Sequence, residues 1–284
     1  MGMSVSIGGQ ALIEGVLMRS ARFVSVAVRD SRKKIKTKVY QRLHPAVKYK
    51  HWFIIRGFLA LIDMVIIGMR ELLWSSEVAS GEKVSGKESG IALSISLVFA
   101  LGLFVVLPFY VSKLFVADYW LFHVVEGLFR VVLFVGYVWL ISFSKDVQRT
   151  FQYHGAEHAS IACWEAKKPL TIANVKKFST LHPRCGTAFI FIVLILAILV
   201  FSLINVQEWW LRIVLRIVLL PIIAGLSYEI LKLNAKFHFP LLNWLTVPGL
   251  WLQKITTKRF SDDQAEVAIT ALKNVLLKEK IKSA

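Results

Sequence analysis

The chain has 284 residues, of which 56% are hydrophobic, and carries a formal net charge of +17. Its mean hydropathy of +0.60 and its long uncharged runs exclude an ordinary soluble globular domain. Two cysteines, Cys163 and Cys185, are too few for a disulfide framework and read as reduced thiols. The opening Met1-Gly2-Met3-Ser4-Val5-Ser6 lacks the basic start and apolar core of a cleavable leader. The chain is therefore expected to be an integral membrane protein retained whole.

Residues 7–20 mix Gly8, Gly9 and Gly15 with apolar side chains, and Gly8-Gly9 permits a tight turn or a close backbone approach. The favoured reading is a turn packed on the domain, with Gln10 and Glu14 kept as site candidates. A Gly-Gly-Gln triplet also occurs in peptide release factors, but three residues carry little information. Residues 23–29 and 35–40 alternate around the turn-like Asp30-Ser31-Arg32-Lys33, which predicts a β-hairpin. Its basic outer face suits anionic lipid headgroups, at about 1 kcal/mol per close charge. Charge alone would suit RNA equally, but no aromatic and glycine pattern of a nucleic-acid module accompanies it, so no sequence-specific nucleic acid is expected.

Residues 52–73 are long and apolar enough to cross a bilayer, but Arg56, Asp63 and Arg70 recur every seven residues along one stripe. The expectation is an amphipathic helix lying in the cytoplasmic interface. A Ser- and Gly-rich linker over 74–90 then leads into the membrane.

Runs 91–117 and 120–143 form one hydrophobic hairpin, and runs 187–207 and 209–231 a second. Four crossings put residues 1–90, 144–186 and 232–284 on one side, with 31 of the 35 Lys and Arg residues. Positive charge marks the cytoplasmic side, so both termini are expected there. Within the second crossing His123, Glu126 and Arg130 share a face, and the fourth adds Arg212, Arg216, Pro221 and Glu229. Charges in hydrocarbon cost roughly 3 kcal/mol and turn inward to partners. Glu126 is therefore expected to neutralise Arg130 or Arg216 as a clamp between helices, with a polar pathway as the alternative.

The polar stretch 151–186 separates the two apolar hairpins. His154-Gly155-Ala156-Glu157-His158 is an H-x-x-E-H pattern, and on a helix it sets two imidazoles one turn apart with a carboxylate beside them. His182 or Cys185 follows as a third donor, which would leave one position open, as in hydrolytic zinc sites. Glu157 is then the candidate general base or an orienting partner of an imidazole. The bland alternative has these histidines capping helices while Cys185-Gly186 turns the chain into the membrane. Glu14 and Glu229 are distal carboxylates without supporting spacing, and Cys163 reads as a small buried hydrophobe. Beyond the last crossing, prolines at 240 and 248 are expected to break 239–252 into short interfacial pieces around Trp244 and Trp251. Asp262-Asp263-Gln264-Ala265-Glu266 opens a final amphipathic helix.

Three blocks, residues 8–19, Tyr153 to His158, and His182 to Thr187, resemble the YqhQ-like family of bacterial membrane proteins. A fourth block runs from Thr256-Thr257 through Asp262-Asp263-Gln264 to Ala268. That family is described as predicted metal-dependent enzymes of unassigned function. The resemblance implies a bacterial plasma-membrane protein and keeps Gln10, Glu14, His154, Glu157, His158, His182 and Cys185 as site candidates. Ala159 stands where Lys is expected after the second His, and Ser20 where Gly is expected.

The sequence thus predicts a polytopic α-helical membrane protein with about four transmembrane helices as two hairpins. Its expected parts are an N-terminal β-containing segment (1–50), an interfacial helix and linker (51–90), hairpin 1 (91–143), a cytosolic loop (144–186), hairpin 2 (187–231) and a cytosolic tail (232–284). The leading functional expectation is metal-dependent hydrolysis at the membrane surface, with a divalent cation, zinc first. His154, His158 and His182 or Cys185 would bind it, and Glu157 would act as base. The rival is a non-catalytic factor whose basic face docks the ribosome or protein-translocation machinery. A channel or transporter built on Glu126, Arg130 and Arg216 is the third.

Overall fold

The computed structural model describes residues 7–83, 85–116, 119–183, 185–204, 206, 208–237 and 240–280. Four antiparallel strands follow one another as β1 (Gly8–Leu12), β2 (Gly15–Arg19), β3 (Phe23–Arg29) and β4 (Ile35–Gln41), and they lie side by side in that order. The predicted hairpin is present as β3 and β4, with Lys33 left-handed at φ 62° in its turn. Residues 7–20 are not the packed turn expected but a second hairpin, closed at Ile13-Glu14, where Glu14 adopts φ 51°. This strand pair lacks polar alternation because β2 is buried on both faces. Leu17 joins Leu12, Val24, Val26 and Val28 on one side, while Val16 and Met18 join Ala27 on the other.

Among the described residues eleven α-helices follow: α1 (Pro45–Lys48), α2 (Ile55–Ser80), α3 (Gly86–Leu101), α4 (Leu107–Phe115), α5 (Tyr119–Ile141), α6 (Lys145–Glu165), α7 (Ile172–Val175), α8 (Gly186–Ser202), α9 (Trp209–Phe237), α10 (Pro240–Thr256) and α11 (Asp262–Lys278). Helix α2 covers one face of the sheet through Ile67; α6 and α11 cover the other. A capping box of Ser261 and Gln264 starts α11, and its buried stripe from Ala265 to Leu276 packs on β2 and β3. Two expectations need correction. The linker shrinks to residues 81–85, because α2 continues to Ser80 before Gly81 caps it at φ 79°. Residues 240–256 form one helix with Pro248 inside it rather than broken pieces, and α10 lies against α8. The Trp244 side chain lies outside the described residues.

Among the described residues three helical stretches have the length and apolarity to cross a bilayer: Gly86–Phe115, Leu121–Ile141 and Trp209–Asn234. The expected third crossing corresponds to α8, whose 17 residues rise roughly 25 Å against about 30 Å of hydrocarbon. The protein is thus a mostly helical, membrane-type chain with a small N-terminal antiparallel sheet.

The Asp63 and Glu71 carboxylates of α2 turn inward, while Arg70 stays exposed. Asp63 accepts from Arg19 at 2.5 Å and from Arg42 Nε at 2.9 Å. Buried Glu71 accepts from Lys38, from the Tyr40 hydroxyl at 3.0 Å and from Arg70 Nε at 2.8 Å. Arg56 donates from Nε to Glu229 on α9 at 2.6 Å. Its outward face instead presents Ile62, Val65, Ile66 and Leu73.

Between α3 and α4 a π-helical segment, Gly102–Val106, leaves the Phe104 carbonyl to accept from Arg130 Nε at 2.9 Å. Glu126 binds both arginines, Arg130 at 2.7 Å and Arg216 through both guanidinium nitrogens, one of them at 2.6 Å. The Phe201 ring of α8 lies beneath both guanidinium groups. The expected clamp therefore joins four helical segments, with Glu126 as its shared acceptor. Replacing Glu126 with Gln leaves two buried guanidinium groups without a counter-charge, a change worth about 3–5 kcal/mol. The E126Q protein in detergent should unfold at distinctly lower temperature, and an unchanged melting curve would show the clamp to be dispensable.

Candidate metal centre

Helix α6 starts after Ser144 and packs against α11, the sheet and the end of α10, so its second half is buried from Tyr153 to Cys163 on nearly all faces. Gly155 makes this approach possible, since a side chain there would strike the Lys258 carbonyl. The Lys258 amide donates to the Phe151 carbonyl at 3.0 Å, which fixes the end of α10 against the helix.

One turn apart on α6, the rings of His154 and His158 stand 4.3 Å apart between centroids. Each Nδ1 meets a backbone carbonyl, Thr256 at 2.9 Å for His154 and Thr180 at 2.7 Å for His158. A carbonyl can only accept, so each Nδ1 carries the hydrogen and each Nε2 keeps a free lone pair. Cys185, the residue capping α8, brings its Sγ to 3.4 Å from His154 Nε2. One donor atom from each of His154, His158 and Cys185 lies within 4.8 Å of the others. Ligands around a tetrahedral zinc sit about 3.3–3.6 Å apart, given bonds of roughly 2.0–2.3 Å. The donor set therefore fits a cation after a small contraction. Carbonyl-oriented imidazoles are also the outer-shell arrangement that metal-binding histidines use.

Cys185 is thus the third member of the cluster, and His182 stands one step back. Its ring centroid lies 5.7 Å from that of His158, and its Nε2 lies 3.4 Å from Glu165. The fully buried Gln253 of α10 clamps the His182 backbone, accepting from its N–H at 2.8 Å and donating to its carbonyl at 3.0 Å. The same amide donates to the Thr187 hydroxyl at 3.1 Å. Burial holds both His158 and His182 below the usual imidazole range, which keeps them neutral and able to ligate.

Glu157 reaches β1, with His154 and His182 near enough to act on its charge. A methyl group at Gly9 would lie 2.8 Å from its carboxylate, so the glycine is what lets the strand and the acid touch. Its Oε2 is buried without a hydrogen-bond partner among the described residues. Burial raises its pKa to about 7, and the neighbouring His154 and His182 pull it partly back. The remaining candidates lie elsewhere. Glu14 accepts from Arg149 and from the Tyr153 hydroxyl at 3.1 Å, and so ties the first hairpin to α6. Gln10 rests on Gly68 of α2 on the opposite face of the sheet. Glu126, Arg130 and Arg216 form the separate clamp, Glu229 is bound by Arg56, and Cys163 faces the carbonyls of residues 168 and 169. Sequence reasoning missed Gln253 and the two threonine carbonyls. Gln253 had a signal, as an uncharged amide in an apolar helix; a carbonyl has none.

A family model described as "Protein of unknown function (DUF1385)" matches residues 52–278. An "Uncharacterized protein YqhQ" of Bacillus subtilis (strain 168) is 34% identical over 296 residues, covering 96% of this chain and 93% of the relative. This chain belongs to that family. No solved structure matches it. The relatedness covers the sheet, the membrane helices and the histidine cluster alike, and it names no activity for any of them.

The Glu157 pKa has a consequence for stability. A carboxyl at 4.5 when unfolded and about 7 when folded binds more protons in the native state, so stability falls as pH rises between those values. Fully expressed above pH 7, the effect is about 3 kcal/mol. Glu157→Gln should therefore raise the melting temperature of metal-stripped protein at pH 8 and leave it nearly unchanged at pH 4.5. Equal melting curves of the two proteins at pH 8 would show that Glu157 is ionised without strain.

Proposed function

We propose that this protein holds a divalent cation at His154, His158 and Cys185 on the cytoplasmic face of a bacterial plasma membrane and uses it for hydrolysis at the membrane surface. The supporting observation is the pair of Nδ1–carbonyl bonds, which turn both Nε2 lone pairs toward one thiol. Two imidazoles and a soft thiolate favour zinc over magnesium or calcium. A cation bound there would polarise a carbonyl and acidify water. Glu157 is suited to take the proton of the attacking water as its oxygen bonds to the carbonyl carbon, then to pass that proton to the departing group. A carboxyl poised at about pH 7 can do both. His182, held by Gln253, lies where it can donate a hydrogen bond beside the centre. The cytoplasmic placement, with both termini inside and four crossings, rests on the share of basic residues outside the apolar runs.

The exposed Lys33, Lys34 and Lys36 around β4 support a second reading, a factor docking on an anionic partner such as the ribosome beside the translocation machinery.

Metal analysis of the purified chain tests the first reading. About one zinc per chain is expected, with loss in His154→Ala plus His158→Ala. Cobalt-loaded protein should show a thiolate-to-cobalt charge-transfer band that Cys185→Ser removes. Negligible metal in both wild type and the double variant would end the proposal. A pull-down whose catch is lost at high salt would favour docking.

A further inference from the structure

The two edges of the sheet differ. β4 carries Lys36 and Lys38 and is preceded by Lys33 and Lys34, the charges that block pairing with another strand. β1 reads Gly-Gly-Gln-Ala-Leu, without a charge, and pairs only with β2 among the described residues. None of its backbone groups bonds outside the sheet among those residues. Open space surrounds Gly8, while Gly9 brings the strand against the unpartnered carboxylate of Glu157. On the other face of the same strand, Gln10, Met64, Val65, Gly68 and Met69 line an open groove of about 260 Å³.

We propose that the bare edge of β1 receives an extended, uncharged peptide segment, which adds as a fifth strand beside Glu157 and sets an apolar side chain in the Gln10–Val65 groove. Main-chain hydrogen bonds supply affinity in such strand addition, and alternate side-chain pockets supply selectivity. The chemistry favours a peptide over a lipid tail. An edge strand offers donors and acceptors at strand spacing, and an acyl chain would leave them unsatisfied in apolar surroundings at a cost of several kcal/mol. The Gln10 amide, with no hydrogen bond among the described residues, stands ready at the groove mouth. On the interfacial reading of α2, its exposed aliphatic face sets this groove beside the bilayer, so the segment is a membrane-proximal stretch of another protein. This names the substrate class for the hydrolytic reading, and so rests on it for what happens after docking, though not for docking itself.

The test uses full-length protein in detergent and a short fluorescein-labelled peptide of alternating threonine and valine with terminal lysines. Two further versions are N-methylated at one or the other alternate set of amides. Strand addition uses only one set, so one methylated peptide should bind about tenfold or more weakly while the other binds as the parent does. Val65→Glu, at an exposed position, should abolish any preference for leucine over serine at the groove-facing site. Equal binding of all three peptides, no binding of any, or displacement of the peptide by short-chain phosphatidylglycerol would each overturn the proposal. The same titration on the His154→Ala plus His158→Ala protein separates the two ideas. Retained peptide binding there supports strand addition whatever the metal content, whereas absent metal in wild type defeats only hydrolysis.

Discussion

Two carbonyl oxygens, those of Thr180 and Thr256, decide what the histidine pair can do. An imidazole has one hydrogen to place in its neutral form, and whichever nitrogen carries it loses its lone pair. Because each carbonyl claims Nδ1–H, both Nε2 atoms must look inward, toward each other and Cys185. The carbonyls come from different parts of the chain, one from the segment before Cys185 and one from the end of α10. The centre therefore exists only once α6, α8 and α10 are assembled. Gln253 serves this assembly by spending its amide on the His182 backbone and on Thr187, which fixes the segment that carries Cys185.

Much of this was legible in the sequence, and what was hidden has a physical cause. The helical spacing of His154 and His158 was readable because residues four apart share a face. Glu126 was readable as a clamp because a charge in an apolar run must find a partner, though its simultaneous hold on Arg130 and Arg216 was not. The choice of Cys185 over His182 depended on a loop whose shape is set by Gln253, some 70 residues away in sequence, and no spacing rule reaches that far. The β1–β2 hairpin was hidden for a different reason. A strand buried on both faces loses the polar alternation that announces strands, and β2 has helices on either side. Residues 240–256 misled through their prolines: Pro240 sits at the first position of the helix, where no amide hydrogen is needed, and Pro248 is tolerated within it.

Helix α2 inverts the usual amphipathic arrangement, with ion pairs inside and aliphatic side chains outside. In water this would be costly, because the exposed Ile62, Val65, Ile66 and Leu73 would order solvent and Asp63 and Glu71 would lose hydration. Beside a bilayer the same helix is economical. Its aliphatic face would meet lipid there, while its carboxylates meet arginine, lysine and tyrosine supplied by the sheet. Of the seven-residue recurrence of Arg56, Asp63 and Arg70 only Asp63 is buried, yet each reaches a partner: Glu229, Arg19 with Arg42, and Glu71.

The same pairs determine how rigidly the centre is held. The imidazoles belong to α6, which packs on the sheet, whereas the thiol belongs to the first residue before α8, which packs among the apolar helices. The centre thus straddles the joint between a sheet-based layer and a membrane-type bundle, and any sliding of one past the other would pull Sγ away from Nε2. Arg56–Glu229 crosses this joint on one side, with Gly57 against Tyr228 and Gly225 against Ile54 letting the backbones close in around it. The end of α10, with Lys258 bonded to Phe151, crosses it on the other. A cation at the three donors would add a third tie across the same joint, so occupancy and the relative position of the two layers must be coupled, each favouring the other.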